Sequence, residues 1–201
     1  MTLTWKAAID YCEKSIGAYD EEEGSYENPK SNFDYLALLQ GKPYPSGMDI
    51  PSIYFVNPAK KLLLLDCLWL VGGIPLVSRR LADFIRSHVE TEIELIKPTA
   101  IYAAGTDFSH DYEILNPIQT VNAIDIEKSE AKLDNQGRII YFKSKFIRDD
   151  SMTSHDIARE IQSLDLLVSE RLAQKLNAED FKVKNGINFY KLQRRLIPYS
   201  G

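Results

Sequence analysis

Apolar and polar positions alternate over short stretches along most of this chain, and few segments keep the helical spacing of three and four. Ser52-Ile-Tyr-Phe-Val56, held between Pro51 and Asn57-Pro58, predicts a strand, as do Thr91-Glu-Ile-Glu-Leu-Ile96 ahead of Pro98, Tyr112-Glu-Ile-Leu115 ahead of Asn116-Pro117, and Val121 to Ile126. Lys132-Leu133 and Arg138-Ile-Ile-Tyr-Phe142 flank the turn Asp134-Asn-Gln-Gly137 and predict a hairpin. A terminal hairpin is expected from Phe181-Lys-Val-Lys184 and Ile187-Asn-Phe-Tyr190 about Asn185-Gly186. Trp5, Ala8, Ile9, Cys12 and Ile16 fall at helical spacing after Thr4 and predict a short amphipathic helix over 5–16. Lys60 to Leu70 is apolar without a period and fits strand or helix equally. Between Gly17 and Asp49 the chain is broken by Pro and Gly, and only Phe33 to Leu39 is dense enough in apolar groups to form an element.

One pattern occurs twice. Leu76-Val-Ser-Arg-Arg-Leu-Ala82 and Leu167-Val-Ser-Glu-Arg-Leu-Ala173 match at six of seven positions. In both, an apolar run reaches a serine whose hydroxyl oxygen can accept from the free N–H groups of a first helical turn. Leu81, Phe84, Ile85 and Val89 follow at helical spacing in the first copy, and Leu172, Ala173 and Leu176 in the second. The repeat therefore predicts two strand-to-helix modules, 76–89 and 167–177, with a serine cap at each handover. A nucleophile's elbow or a phosphate loop needs glycines that neither serine has beside it; Gly72-Gly73 forms no GxGxxG or GxxxxGK[ST]. The expected fold class is α+β, with mostly antiparallel sheet and a few packed helices in a single globular domain over 1–201.

Charge refines this picture. The chain carries a net −5, and residues 1–60 hold nine acidic against five basic side chains, so most of the imbalance lies in a loop-rich first third. Its centre is Asp20-Glu21-Glu22-Glu23 between Gly17 and Gly24, an expected exposed loop. Such a field disfavours nucleic acid, whose phosphates need Lys and Arg, and favours a basic partner or simple solvation. No run of eighteen apolar residues exists, and the N-terminal residues lack the basic start and apolar core of a signal peptide, so the expected location is the cytoplasm. Cys12 and Cys67 lack metal-ligand spacing and are expected as reduced core thiols.

Ser-His-Asp occurs at 109–111 and 154–156. With His88, His110-Asp111 and Asp149 the order loosely follows that of HD phosphohydrolases, which would make a metal-dependent hydrolase using His110, Asp111 and His155 one alternative reading, beside a general interaction module. That constellation is built on helices, whereas the sequence around His110 reads as strand and loop. Three such residues in a row also cannot form a triad, whose members meet across space. The structural reading is that Ser154 or Asp156 caps a helical segment Ile157-Ala-Arg-Glu-Ile161. No catalytic residue, metal ligand or cofactor is assigned.

Tyr112-Glu-Ile-Leu-Asn-Pro-Ile-Gln-Thr-Val-Asn-Ala-Ile-Asp-Ile-Glu-Lys-Ser-Glu130, His155-Asp-Ile-Ala-Arg159 and Leu167-Val-Ser-Glu-Arg-Leu172 ahead of a C-terminal strand resemble the bacterial polymorphic-toxin immunity family numbered eleven, formerly a domain of unknown function. The likeness covers roughly residues 70–192, departs from the pattern at Asn122, where an aspartate is common, and leaves the N-terminal third unmatched. It implies a non-enzymatic immunity protein that binds and blocks a cognate toxin encoded next door. A basic toxin would meet carboxylates that steer association and tyrosines that anchor it. The residues expected to bind are Tyr19, Asp20, Glu21, Glu22, Glu23 and Tyr26, together with Asp107 and Asp111 in the loop 105–111.

Overall fold

The computed structural model describes residues 1–7, 11–19, 31–108, 111–181 and 188–190. An eight-stranded sheet runs in the order β6 (Ile93–Ile96), β9 (Tyr112–Pro117), β5 (Ile74–Ser78), β4 (Cys67–Leu70), β2 (Ile16–Tyr19), β3 (Ile53–Phe55), β7 (Ile101–Ala103) and β8 (Thr106–Asp107). A five-stranded sheet runs β10 (Thr120–Val121), β13 (Ile157–Glu160), β14 (Leu166–Ser169), β1 (Thr2–Lys6) and β15 (Asn188–Tyr190), and β11 (Glu130–Leu133) with β12 (Ile139–Ser144) makes a two-stranded ribbon. Three α-helices, α1 (Ala59–Leu62), α2 (Arg79–Val89) and α3 (Glu170–Ala178), complete the described part of an α+β fold.

The sequence repeat is the visible part of a larger one. Strands β6-β9-β5-β4-β2 and β15-β1-β14-β13-β10 share both order and sense: three antiparallel pairings and then one parallel. Registers match as well. Trp69 and Leu70 face Ile16 and Gly17 across the parallel pair, and Arg159 and Glu160 face Thr120 and Val121 in the same way. Cys67 pairs with Val77, and Ile157 with Val168. The second unit draws the strand next to its edge, β1, from the N-terminal end of the chain, where the first unit uses β9.

Each handover from strand to helix is built alike. Ser78 Oγ accepts from Leu81 N–H at 3.3 Å and donates to Asp66 Oδ1, while Arg80 reaches the other carboxylate oxygen at 2.6 Å. Ser169 Oγ accepts from Leu172 N–H at 3.1 Å and donates to Asp156, which Arg171 holds at 2.5 Å. The serine thus satisfies one free helix donor, and the aspartate at the start of the preceding strand fixes the serine.

Helices α2 and α3 bury one stripe each in a shared core. Leu81, Ile85 and Val89 meet Leu172, Ala173 and Leu176, with Trp69 and Val77 from one sheet and Trp5, Ile157 and Val168 from the other. Trp5 stands edge-on to Trp69 with ring centres 6.5 Å apart. The opposite face of the large sheet packs Leu68, Leu70, Ile74 and Ile114 against Leu38 and Leu39 of the 3₁₀ turn Tyr35–Leu39. Strand β4 is therefore covered on both faces, which is why Lys60 to Leu70 carries no period: it divides into α1 and a doubly buried strand. Gly17 is required in β2, because a Cβ there would lie 2.7 Å from Leu70 and 2.8 Å from Phe55.

Several expectations are corrected. Trp5 lies in β1 rather than a helix over 5–16, of which the described remainder is a single 3₁₀ turn at Glu13–Ser15; sheet pairing on both sides outweighs the helical spacing. Ile157–Glu160 is a strand, so Asp156 caps no helix there and serves Ser169 and Arg171 instead. Val121 to Ile126 is strand only at its start, and Ile124 makes one isolated bridge to Ile147. Cys67 is buried, whereas Cys12 is exposed. Of the terminal hairpin, β15 pairs with β1, while Asn185-Gly186 lies outside the described residues.

Candidate partner-binding surface

Beyond the stretch that α2 covers, the large sheet continues with one face that no described helix covers. Ile16 aligns with Trp69 across the parallel pair, so Ile16 and Ala18 point to the helix side. Ala18, Tyr54, Tyr102 and Asp107 then occupy one row across β2, β3, β7 and β8. The rings of Tyr54 and Tyr102 stack at 4.8 Å with 15° between planes. Strand alternation accounts for this. Ile53, Phe55, Ile101 and Ala103 go to the core, and Tyr54, Val56 and Tyr102 are left on the outside. Val56 is 70% exposed and Ile16 37%. Together with Glu13, Val71 and Gly105 these residues line an open groove of about 560 Å³. Glu13 lines the groove, and the exposed Asp107, paired with Tyr102 at the end of the row, lies beside it, so two carboxylates flank an apolar floor. This combination suits a basic protein segment carrying apolar side chains.

Of the residues expected from sequence to bind, Asp107 falls in this row. Asp111 does not: it lies at the start of α2, where it meets Arg79 at 3.5 Å, within an exposed network of Arg79, Asp83, Arg86 and Glu113. Tyr19 is 5% exposed, its ring packs on Phe33 at 4.9 Å and Tyr35 at 6.0 Å, and its hydroxyl donates to the Val71 carbonyl, which places it in the core beneath this sheet. Asp20, Glu21, Glu22, Glu23 and Tyr26 lie outside the described residues. Sequence reasoning passed over Ile16, Tyr54, Val56 and Tyr102. The signal was the alternation within Ser52 to Val56, which assigns Tyr54 and Val56 to the face opposite Ile53 and Phe55.

His110 is outside the described residues; Asp111 is salt-bridged to Arg79; His155 Nδ1 is 3.6 Å from Glu92, whose other oxygen accepts from Asp156 and Ile157 N–H. Burial pulls the Asp156 carboxyl upward, but the Arg171 and Ser169 hydrogen bonds outweigh it and hold the group below the ordinary carboxylate range. Among the described residues no group of three His, Cys, Asp or Glu side chains is placed to hold a metal ion, and no helix is long and apolar enough to cross a membrane.

Compared with known families, the chain matches the model of the Immunity protein family (Imm11) over residues 11–194. It belongs to that family. The match reaches well beyond the motifs at 70–192 and takes in the N-terminal third, including β2 and β3 of the open face. No curated protein matches the chain.

Proposed function

We propose that this member of the Immunity protein family (Imm11) neutralises a cognate bacterial toxin by binding it, without catalysing a reaction of its own. The observation that carries the surface assignment is the stacked pair Tyr54 and Tyr102 on an uncovered, acid-bordered sheet face. Aromatic side chains with few rotamers contribute binding energy at low entropic cost, and carboxylates around them raise the association rate of a cation. The partner is a basic toxin domain, made by the neighbouring gene and met in the cytoplasm. Asp107 belongs to this interface, and the Asp20 to Glu23 run with Tyr26, which follows β2 in the chain, contributes to binding the same partner. Asp111 contributes through the network at the start of α2. Ser78 and Ser169 serve as helix caps, His88 packs on Phe84 and His155 faces Glu92, and protection is assigned to binding the toxin.

The test is co-expression with the neighbouring toxin gene in a sensitive host. Wild-type protein and His155→Ala should both protect and co-purify with the toxin, whereas Tyr54→Ala/Tyr102→Ala should lose protection while staying folded. Protection abolished by His155→Ala in a folded protein would favour the hydrolase instead.

A further inference from the structure

The groove on the tyrosine face has a shape that selects more than charge. Tyr54 and Tyr102 stand on neighbouring strands with ring centres 4.8 Å apart, which is the strand spacing itself. Two phenol rings cannot lie side by side at that separation, so each turns one face to the other. Tyr54 has a second neighbour in the row, Ala18 on β2. Ala18 carries nothing beyond its Cβ. The outer face of the Tyr54 ring therefore looks across a gap in the row, with Ala18 as its floor and Ile16 beside it on the same strand. Val71, whose N–H donates to the Gly17 carbonyl at 2.9 Å, lines the groove on the β4 side of that gap. The gap is a slot against an aromatic face, and a flat group laid in it would make the third member of the stack.

Two properties of the slot narrow what that group is. Its wall is the negative face of an aromatic ring, which stacks with flat groups and attracts cations. Glu13 lines the same groove and forms no ion pair among the described residues, and no lysine or arginine is among the described residues that line it. A neutral aromatic side chain would fill the slot but leave that carboxylate without a counter-charge. A lysine ammonium would answer the charge but not the flat face. An arginine guanidinium is planar, stays charged, stacks on aromatic rings and is more weakly hydrated than an ammonium, so it meets both conditions. We propose that the slot over Ala18 receives an arginine side chain of the cognate toxin, stacked on Tyr54 with its charge answered by Glu13. This rests on the toxin docking on the tyrosine face, and it names the group that docks there.

The full-length protein is titrated with N-acetyl-arginine amide, N-acetyl-lysine amide and N-acetyl-tyrosine amide, and backbone amide NMR shifts are followed. The arginine amide is expected to move the signals of residues 16–18 and 54 and to bind about threefold or more tightly than the other two. Ala18→Leu fills the slot from its floor. It should abolish those shifts and weaken binding of the neighbouring-gene toxin about tenfold or more, with the melting temperature unchanged. Because a larger side chain at Ala18 can also displace β2, Tyr54→Leu supplies an independent readout: it removes the flat face and should erase the preference for arginine over lysine. No shift at 16–18 and 54 with the arginine amide, equal binding of the lysine amide, or a preference for the tyrosine amide would overturn the proposal. Toxin affinity kept in Ala18→Leu but lost in Tyr54→Ala/Tyr102→Ala would overturn the slot and leave the docking face standing. Affinity kept in both would overturn the docking face as well.

Discussion

The two five-stranded units have the same strand order and the same capped helix, yet they spend their equivalent positions differently. Where the first unit has Trp69 and Leu70 in β4, the second has Arg159 and Glu160 in β13, and all four are buried. Trp69 and Leu70 pack into the two apolar clusters on either face of the sheet, and Trp69 N–H donates to the Tyr11 hydroxyl at 3.1 Å. Glu160 is held by hydrogen bonds: its carboxylate accepts from Ala123, Gln162 and Ser163 N–H at 3.2, 2.6 and 2.6 Å. Arg159 gives one bond, to the Leu164 carbonyl, and its Nε and Nη2 have no partner among the described residues. One fold therefore tolerates an apolar and a polar solution at one place, provided that the junctions on either side are kept. What differs on the outside follows the same division, since the insert in the first unit extends the sheet into the tyrosine face, and the insert in the second becomes the free ribbon.

The largest expected effects are at Glu160 and at its equivalent, Leu70. Glu160→Ala leaves three backbone donors without their acceptor and should cost about 3 kcal/mol, measured by denaturant unfolding at constant m-value. Leu70→Ala, at the equivalent position, should cost about 2–5 kcal/mol through the cavity it leaves. If Glu160→Ala were neutral, the polar solution would be idle and the comparison would fail.

Next comes a change of opposite sign. Arg159→Met replaces an under-satisfied buried guanidinium by an apolar side chain and should raise stability by about 1–2 kcal/mol. The alkaline limb of the stability curve tests the same group. Burial lowers the Arg159 guanidinium from 12.5 to about 10, so the folded state sheds that proton first and folding gains as pH rises past 10. Burial raises the phenols of Tyr11, Tyr19 and Tyr112 above their ordinary 10.0, which works the other way: their stabilisation is complete below pH 10 and is lost above it. Three groups outweigh one, so stability should fall above about pH 10. In Arg159→Met it should fall more steeply, because the opposing titration is gone.

The smallest effects are at the caps. Ser78→Ala and Ser169→Ala should each cost about 0.5–2 kcal/mol without changing binding. Ser169 should stand at the upper end, since it is 8% exposed and its aspartate is held below the ordinary range by the contacts the hydroxyl shares.

These pairs also show what was legible in the chain. The serines could be read because a cap is a local device, and its sequence recurs with its geometry. The aspartates that fix them could not. Asp66 and Asp156 lie twelve and thirteen residues upstream, at the far ends of hairpins whose turns differ by one residue. Trp5 misled because its spacing to Ala8 and Cys12 is helical, while its environment, two flanking strands, is set by the other end of the chain. The burial of Tyr19 was not legible, because only the tertiary structure places Phe33, Tyr35 and the Val71 carbonyl around it. The open face was half visible: alternation gave Tyr54 an outward direction, but that β7 lies beside β3 to supply Tyr102 is a parallel pairing no local pattern announces.

The central claim is that a basic toxin docks on the acid-bordered tyrosine face of the first unit. Hydrogen exchange of the protein, alone and with the neighbouring-gene toxin, tests it most directly. The account predicts slowed exchange at 16–18, 53–56 and 101–107, with the second unit's helix α3 unaffected. Tight toxin binding with no protection in those three segments, and protection confined to the second unit, would contradict it.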